Sequence, residues 1–434
     1  MNKYHNEQQL HSEIGFSIDD TFGDIQLEAM LIDIKESRQP VSFMVTEGGS
    51  IVSLTLHDST IYFGACDHNL YAVDAATGNE IWRIDVGGIV TGMPVVHRNI
   101  VFAGSYDWNL YAVSVDGKIL WKFHTGGKIA HAIAAENGVV CAGSQDRNIY
   151  ALDMKGRMLW KFPTGDEISD KLLAVNGVLY AGSMDFCVYA IDLKTGRLVW
   201  RFKTGGMVAC NPESDGRVVY FGSFDGCIYA LDAAGGHLIW KFRAGGEVRG
   251  CSFHDGVVYG SCRDNCVYAL GAEDGQLLWK FSASNFLSRG PDVYGDAVYV
   301  GSTDHNMYAL DRKTGRMLWK FQAGGFVTSH IFALGDKLYF GSWDCNLYCL
   351  DTPGRMLWKF RTSMGNVATV DNSLLEAKKS MNFVVMSRMD DKPLESGVES
   401  DRKDYGEFSG GYMSKDKSDY VSSGKRSYIK KREF

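Results

Sequence analysis

Short apolar runs alternate with polar turns along most of the chain, and the alternation has a fixed period. Residues 88–127 form one period, in which four runs rich in Val, Ile, Tyr, Phe and Trp are separated by turns of Gly, Asp and Asn. Runs of this length and composition are typical of β-strands. We therefore expect each period to form a four-stranded antiparallel meander, with strands A to D in chain order. Proline is rare, at 7 of 434 residues, as unbroken strands require.

Two residue types mark the period independently. Eight tryptophans recur every 39 or 40 residues, at Trp82, Trp121, Trp160, Trp200, Trp240, Trp279, Trp319 and Trp358. Eight aspartates follow the same period, at Asp67, Asp107, Asp146, Asp185, Asp225, Asp264, Asp304 and Asp344. A period near 40 residues indicates one supersecondary unit per repeat.

A four-stranded sheet cannot bury both of its faces alone, so the copies must pack against one another. Eight copies closed into a ring form a β-propeller. A solenoid is the alternative, but its repeats are usually shorter or helical. The sequence therefore predicts an all-β protein, an eight-bladed β-propeller of four-stranded antiparallel blades. Each strand D tryptophan is predicted to dock between neighbouring sheets, where it buries on the order of 200 Å².

One segment of the repeat resembles a known signature. The run Ala72–Trp82 matches the Ala-x-Asp-x-x-Thr-Gly-x-x-x-Trp docking motif of the pyrroloquinoline quinone (PQQ)-like propeller repeat, and Ala190–Trp200 and Ala309–Trp319 match it equally well. Other units depart from it, with Gly235 in place of Thr and Gly271 in place of Asp. Over residues 48–362 the chain resembles PQQ-like, or quinoprotein alcohol dehydrogenase-like, β-propeller proteins.

The composition changes at both ends of the repeat region. We predict an N-terminal extension over residues 1–40, the propeller over 41–362, a short helix or strand segment over 363–389 and a disordered polar tail over 390–434. Within the propeller region, the apolar run 41–45 followed by Gly48-Gly49 looks like an extra strand D that enters the first unit. Its role stays open, because Trp358 already supplies a strand D for the last unit. The basic end of the tail is either solvated or an electrostatic tether.

Charge and cysteine content narrow the class of protein. The net charge of −7 gives no basic excess for nucleic-acid binding, and no apolar run reaches membrane-spanning length. The first residues lack the apolar core of a signal peptide, so we expect a cytoplasmic location. The ten cysteines include no Cys-x-x-Cys pair, so we expect free thiols and no zinc site.

The B–C turn of each unit, Gly-Ser-x-Asp-x-Asn, offers a candidate binding rim. Its Gly, Ser and Asp recur, and an Asx-turn explains the aspartate better than a metal site does. The two variable positions hold large side chains that favour partner binding; alternatively, these side chains fold down onto neighbouring blades. The candidate rim residues are Tyr106, Trp108, Arg147, Met184, Phe186, Phe224, Arg263 and Trp343.

Strand A is predicted to line the central channel. Alignment of the units on their central aliphatic residue places several polar residues there, with Lys128, Glu167 and Glu247 just before the aligned position. Arginine, lysine and histidine that converge on a funnel favour an anionic ligand, although a wet channel also tolerates polar residues without a ligand. The candidates are His131, Asp170, Lys171, Asn211, Arg249, Arg289 and His330.

Three functions compete on this basis. The resemblance implies either a non-enzymatic scaffold for protein–protein contacts or a quinoprotein dehydrogenase, and the channel adds a sensor of small anionic ligands. Dehydrogenases of the family hold PQQ over Ca²⁺ with Glu, Asn and Asp, and some add a vicinal cysteine pair. Asp170, Asn211 and Glu167 approximate that set, but Lys171 lies beside them and no two cysteines are adjacent. We therefore expect a protein-binding scaffold with no cofactor, no metal and no catalytic residue.

Overall fold

Eight four-stranded antiparallel sheets follow one another along the chain, each built from four consecutive strands. The computed structural model describes residues 50–168, 170–287 and 289–362, and contains no helix within them. The eight-bladed propeller predicted from the sequence is confirmed. The predictions for 1–40, 363–389 and 390–434, and for the strand-like run 41–45, lie outside the described residues.

The first four blades have the following strands. Blade 1 contains β1 (Ser53–His57), β2 (Thr60–Gly64), β3 (Asn69–Asp74) and β4 (Glu80–Asp85). Blade 2 contains β5 (Val95–His97), β6 (Ile100–Gly104), β7 (Asn109–Ser114) and β8 (Ile119–His124). Blade 3 contains β9 (Ile133–Glu136), β10 (Val139–Ser144), β11 (Asn148–Asp153) and β12 (Met158–Pro163). Blade 4 contains β13 (Leu173–Val175), β14 (Val178–Gly182), β15 (Cys187–Asp192) and β16 (Leu198–Lys203).

The other four blades repeat the pattern. Blade 5 contains β17 (Glu213–Ser214), β18 (Val218–Gly222), β19 (Cys227–Asp232) and β20 (Leu238–Arg243). Blade 6 contains β21 (Val248–His254), β22 (Val257–Cys262), β23 (Cys266–Gly271) and β24 (Leu277–Ser282). Blade 7 contains β25 (Asp292–Tyr294), β26 (Ala297–Gly301), β27 (Asn306–Asp311) and β28 (Met317–Gln322). Blade 8 contains β29 (Phe332–Leu334), β30 (Lys337–Gly341), β31 (Asn346–Asp351) and β32 (Met356–Arg361).

The core lies between the sheets, in eight clusters that each join two neighbouring blades. The cluster that closes the ring packs Ile61 and Phe63 of blade 1 against Tyr339 and Leu347 of blade 8. Hydrogen bonds accompany this packing, including one from the Tyr339 hydroxyl to the carbonyl of Ala75 at 3.0 Å. All four strands of blade 8 come from one end of the chain, so side-chain packing and loop contacts close the ring.

The strand D tryptophans contact the next blade through the indole ring. Seven of their indole N–H groups donate to a carbonyl of the next blade at 2.8–3.0 Å. The indole lies against the C–D turn of that blade, which contains a glycine. At Gly117 a Cβ would approach Cγ of Trp82 to 2.7 Å, and φ is +85°, so the turn has neither the space nor the backbone conformation for a side chain.

The recurring aspartates cap the B–C turns, as predicted. In all eight blades the carboxylate accepts the backbone N–H two residues later, at 2.9–3.2 Å. Its other oxygen accepts the hydroxyl of a strand C tyrosine. In several blades that oxygen also accepts a glycine N–H from the preceding blade, as at Gly126 and Asp146, 2.7 Å. The recurring aspartates therefore stabilise the B–C turns and, in several blades, link them to the preceding blade.

Hydrogen bonding holds several carboxyl groups in the ionised form. Burial works to raise the pKa of Asp146, but hydrogen bonds from Tyr150, Asn148 and Gly126 outweigh it and lower the pKa. In three C–D turns the aspartate pKa is lowered chiefly by a threonine hydroxyl and the N–H of the same residue. These pairs are Asp74 with Thr77, Asp192 with Thr195, and Asp311 with Thr314.

These shifts predict a loss of stability in acid. A carboxyl whose pKa is lower in the fold than in the unfolded chain, where it is about 3.9, stabilises the fold above that pH. The contribution disappears as the pH falls through the folded pKa. We expect a Tm that is flat from pH 7 to about 5 and falls progressively below about 4. A triple variant with Val at Thr77, Thr195 and Thr314 should show a shallower fall, whereas a Tm that rises in acid would contradict this.

Candidate functional site

Residues of the predicted rim contact residues at the entry to the predicted channel, and we call the two sets together the funnel. The first variable residue of several B–C turns lies over the entry to a strand A. The Lys128 ammonium stands 5.2 Å from the ring centre of Tyr106, and the Arg249 guanidinium 4.3 Å from that of Phe224. The indole N–H of Trp343 donates to the hydroxyl of Thr328 at 2.7 Å. The aromatic and cationic residues of the funnel mouth therefore contact each other.

The eight rim candidates differ in exposure. Trp108 has 45% of its surface exposed, and Arg147 is also exposed. The other six are only partly exposed, which agrees with the alternative that rim side chains fold down onto neighbours; they are Tyr106, Met184, Phe186, Phe224, Arg263 and Trp343. Among these candidates, the two exposed side chains, Trp108 and Arg147, lie on blades 2 and 3.

The second variable position of the B–C turn has an unusual backbone conformation in every blade. Its φ is +70° at Trp108, +67° at Arg147 and +73° at Phe186. Glycine is the residue that occupies this left-handed region without strain, yet only blade 5 has glycine there, Gly226 at φ +80°. A bulky side chain in this region costs about 1–2 kcal/mol. The large side chains at Trp108, Arg147 and Phe186 therefore occupy a backbone conformation that costs conformational energy.

One arginine contacts two side chains from other blades across the channel. Arg289 of blade 7 lies 3.4 Å from the Asp170 carboxylate of blade 4 and 3.0 Å from Nε2 of His131 in blade 3. All three side chains are at most about a tenth exposed. Burial, followed by the positive charge of Arg289, holds the pKa of His131 well below its usual value. The imidazole is therefore neutral at pH 7 and accepts the guanidinium hydrogen bond.

A second polar group crosses the channel beside the first. Nδ1 of His330 lies 3.1 Å from the Asp292 carboxylate, and its Nε2 lies 3.1 Å from the Asn211 amide. These contacts assign the Nδ1–H tautomer, which donates to Asp292 and accepts from Asn211. Lys171 faces Glu213 at 3.9 Å. Burial raises the pKa of Glu213, against the opposing charge of Lys171.

Arg249 has a different carboxylate partner from Arg289 and contacts the rim residue Phe224. Its guanidinium pairs with Glu247 at 3.1 Å, and Arg263 reaches the same carboxylate at 3.4 Å. Arg289, Lys171 and Arg249 each have a carboxylate partner, and the expectation that the channel cations converge on one anionic ligand stays a prediction. Two acids pair with these channel residues: Glu213 faces Lys171, and Asp292 faces His330. The sequence alignment of the strand A units did not identify them, because both lie further along the strand than the aligned channel positions.

The funnel residues do not fit a quinone site over a calcium ion. A calcium site needs several carboxylate and carbonyl oxygens directed at one point. Here the Asp170 carboxylate faces Arg289, and the Asn211 amide faces His330. No group of three or more His, Cys, Asp or Glu suited to a metal ion occurs within residues 50–362 as described. All ten cysteines are free thiols.

Comparison with known proteins places the chain in a family. The family model described as outer membrane protein assembly factor BamB matches residues 66–201, 145–253, 184–285 and 263–388. These matches span most of the chain, which therefore belongs to this family of PQQ-like β-propeller repeat proteins. A search of curated protein sequences gives no match. Within the described ranges, no helix is long and apolar enough to cross a membrane.

Solved structures share the architecture at low sequence identity. The computationally designed Ika8 protein aligns with a TM-score of 0.65 at 20% identity, over 70% of this chain and 96% of that chain. BamB from Moraxella catarrhalis aligns with a TM-score of 0.60 at 18% identity, over 68% of this chain and 91% of that chain. Similarity at this level of identity bears on the fold alone.

Proposed function

We propose that the protein is a non-enzymatic scaffold that binds a protein partner through the B–C turn rim. The main support is the left-handed backbone at the second variable position of the B–C turn, where Trp108, Arg147 and Phe186 occur in place of glycine. Strain kept at a surface position points to a role for the side chain. These three residues lie on consecutive blades, so their side chains form one arc of the rim.

The chemistry of this arc suits a protein surface. Trp108 stacks on His124 with ring centres 6.0 Å apart, which fixes a large aromatic face while leaving it open to solvent. Arg147 lies 3.6 Å from Asp166 and offers further donors. Exposed tryptophan and arginine are the residues that most often dominate protein–protein affinity. A partner with an apolar pocket beside an acidic group would complement this arc.

Three further considerations support a scaffold over the alternatives. The family takes its description from an assembly factor, and an assembly role is a role in binding. A quinoprotein dehydrogenase is disfavoured because Asp170 and Asn211 contact Arg289 and His330 instead of a common metal position. A sensor of small anions is disfavoured because the funnel arginines have carboxylate partners. The cytoplasmic location stays a prediction.

The variant Trp108→Gly separates binding from stability. Glycine occupies this backbone region freely, as Gly226 does in blade 5, so we expect the variant to unfold at an equal or higher temperature. Loss of a hot-spot tryptophan should weaken the partner complex by about 2 kcal/mol or more, roughly 30-fold. Partners captured by the wild type are identified by mass spectrometry, and the affinity of the best one is then measured for both proteins.

A matched control lies on the opposite face of the ring. Leu334 is the last residue of strand A of blade 8, next to the A–B turn, and is 42% exposed, close to the exposure of Trp108. Leu334→Ala should bind the partner as the wild type does. Equal affinities for wild type and Trp108→Gly, or a larger loss from Leu334→Ala, would remove the rim as the binding surface.

A further inference from the structure

A groove between blades 6 and 7 lies on the face of the A–B and C–D turns, at the opposite end of the strands from the rim. It encloses about 250 Å³, which is below the size of the pockets that hold drug-sized ligands. The residues that line it include Asp255, Tyr259, Leu278, Trp279, Arg312 and Lys313. The groove therefore has room for a small molecule.

Arg312 distinguishes this groove from the other boundaries between blades. It directly follows strand C of blade 7, where its N–H donates to the carbonyl of Asp296 and its carbonyl accepts the indole N–H of Trp279, both at 2.9 Å. Six blades have an apolar residue at this position, packed in or against a cluster between blades: Ala75, Val115, Met154, Leu193, Ala233 and Ala272. Blade 8 has Thr352. Blade 7 alone has a charged side chain there, and its backbone is held in place.

The hydroxyl of Tyr259 is a buried polar group without a hydrogen-bond partner among the described residues. The equivalent tyrosines of two other blades have acceptors. Tyr220 donates to the Asp215 carboxylate at 3.3 Å, and Tyr339 donates to the carbonyl of Ala75 at 3.0 Å. Buried polar groups in folded proteins are nearly always hydrogen bonded. The Tyr259 hydroxyl is therefore an unused donor at the base of the groove.

Asp255 occupies the position of an anion in this groove. Its carboxylate accepts a hydrogen bond from Nη1 of Arg312 at 2.9 Å. Burial raises the pKa of Tyr259, the charge of Arg312 opposes that shift and the charge of Asp255 adds to it, so both charged groups lie near the hydroxyl. The Asp255 side chain is nevertheless 69% exposed, and exposed ion pairs contribute little to stability. Another carboxylate can therefore replace it on Arg312 at small cost.

The other side chains of the groove favour a ligand that has both an anionic and an apolar part. Lys313 lines the groove and is exposed, so the lining has two cations, Arg312 and Lys313, against the one carboxylate of Asp255. Leu278 is exposed and lines the groove beside Trp279. The two side chains place an apolar surface next to the cations, where it can contact the hydrocarbon part of a ligand.

We propose that this groove is a binding site for a small organic carboxylate, which replaces Asp255 as the partner of Arg312. When Asp255 turns to solvent, the ligand carboxylate accepts hydrogen bonds from the Tyr259 hydroxyl and from the guanidinium, whose planar set of donors matches a carboxylate. The site lies at the opposite end of the strands from the rim, so it is independent of the proposed function.

Titration of the full-length protein with benzoate, followed by saturation-transfer NMR, tests this site. We expect saturable binding of benzoate, and binding of its uncharged analogue benzamide that is at least about tenfold weaker, since hydrogen bonds to charged groups are the stronger ones. Arg312→Leu introduces the residue that blade 4 has at this position and should weaken benzoate binding at least about tenfold. Tyr259→Phe introduces the residue of blade 2, removes only the hydroxyl and should weaken binding about tenfold.

Two further variants make the result specific. Asparagine occupies the Asp255 position in blades 3 and 4 with a similar positive φ, 52° at Asn137 and 54° at Asn176, so Asp255→Asn preserves the turn. Loss of the competing carboxylate should tighten benzoate binding about two- to fivefold. Tyr299→Phe makes the same change in blade 7 as Tyr259→Phe makes in blade 6, and should leave the affinity unchanged.

Several results would overturn the proposal. They are an absence of saturable benzoate binding, equal affinities for benzoate and benzamide, wild-type affinity in Arg312→Leu or Tyr259→Phe, and unchanged or weaker binding by Asp255→Asn.

Discussion

Replacement of Trp240 by alanine should cost about 3–5 kcal/mol of unfolding free energy, the range for large aromatic residues truncated in a core. The indole is only 8% exposed and donates to the carbonyl of Ala272 in the next blade at 2.8 Å. It also covers Gly275, where a Cβ would come within 2.7 Å of the ring. The variant thus removes the ring, leaves a cavity between two sheets and leaves a carbonyl without its donor.

The adjacent residue is the matched control. Ile239 precedes Trp240 on the same strand but is 48% exposed. Ile239→Ala should lower the free energy of unfolding by about 1 kcal/mol or less. Roughly half of the Ile239 side chain stays in water in the fold, so its burial contributes only part of the usual hydrophobic stabilisation. Chemical denaturation of both variants measures the difference. Similar losses at the two positions would mean that the tryptophans do not hold the blades together.

Arg289→Met should be the second large effect, at about 3–5 kcal/mol, because it breaks a buried ion pair and leaves one charge without its partner. Asp170 is 5% exposed and would keep a buried carboxylate without its guanidinium partner, with the backbone N–H of Lys171 still donating to it at 2.8 Å. His131 would lose the donor that contacts its ring. The cost comes from the isolated charge more than from the pair itself.

A double variant distinguishes these two sources of the cost. Arg289→Met combined with Asp170→Leu removes both charges and replaces them with apolar side chains of similar length. Unfolding by denaturant should show that the double variant is more stable than Arg289→Met alone, since apolar replacements of buried pairs are often neutral. A double variant no more stable than Arg289→Met alone would contradict this, and a loss equal to the sum of the Arg289→Met and Asp170→Leu losses would show that the two side chains do not interact.

Periodicity made the ring, the docking tryptophans and the aspartate turns predictable, because each depends on contacts within a blade or with the next blade. The channel pairings were not predictable in this way. Arg289 and Asp170 are 119 residues apart, as are Asn211 and His330, and only closure of the ring brings them together. Local spacing identified which residues enter the channel but not which of them meet.

The rim shows a second limit of the sequence. A B–C turn was expected to expose both variable residues, but the first one leans inward over strand A, as Phe224 does over Arg249. The backbone sets this direction, because the second position adopts positive φ while the first does not. Alignment of the turns by residue type could not distinguish the two positions.

The outer strands carry a pattern that the periodicity left unexplained. Aliphatic side chains just before each tryptophan are about half exposed, as at Leu278, 56%, and Leu318, 54%. A lysine or arginine follows each tryptophan and is exposed, as at Lys280 and Lys320. Charged residues on sheet edges oppose pairing with other chains. We therefore expect these eight cations to oppose edge-to-edge pairing of the eight outer strands.

The most direct test of the scaffold account is a photo-crosslinking comparison of two positions. A photoreactive phenylalanine analogue is placed at Trp108 in one protein and at Leu334 in another, and both are irradiated with the captured partner. We expect a covalent adduct from position 108 that competes away with unlabelled protein, and none from position 334. An adduct from position 334, or equal labelling at both, would contradict a partner-binding rim.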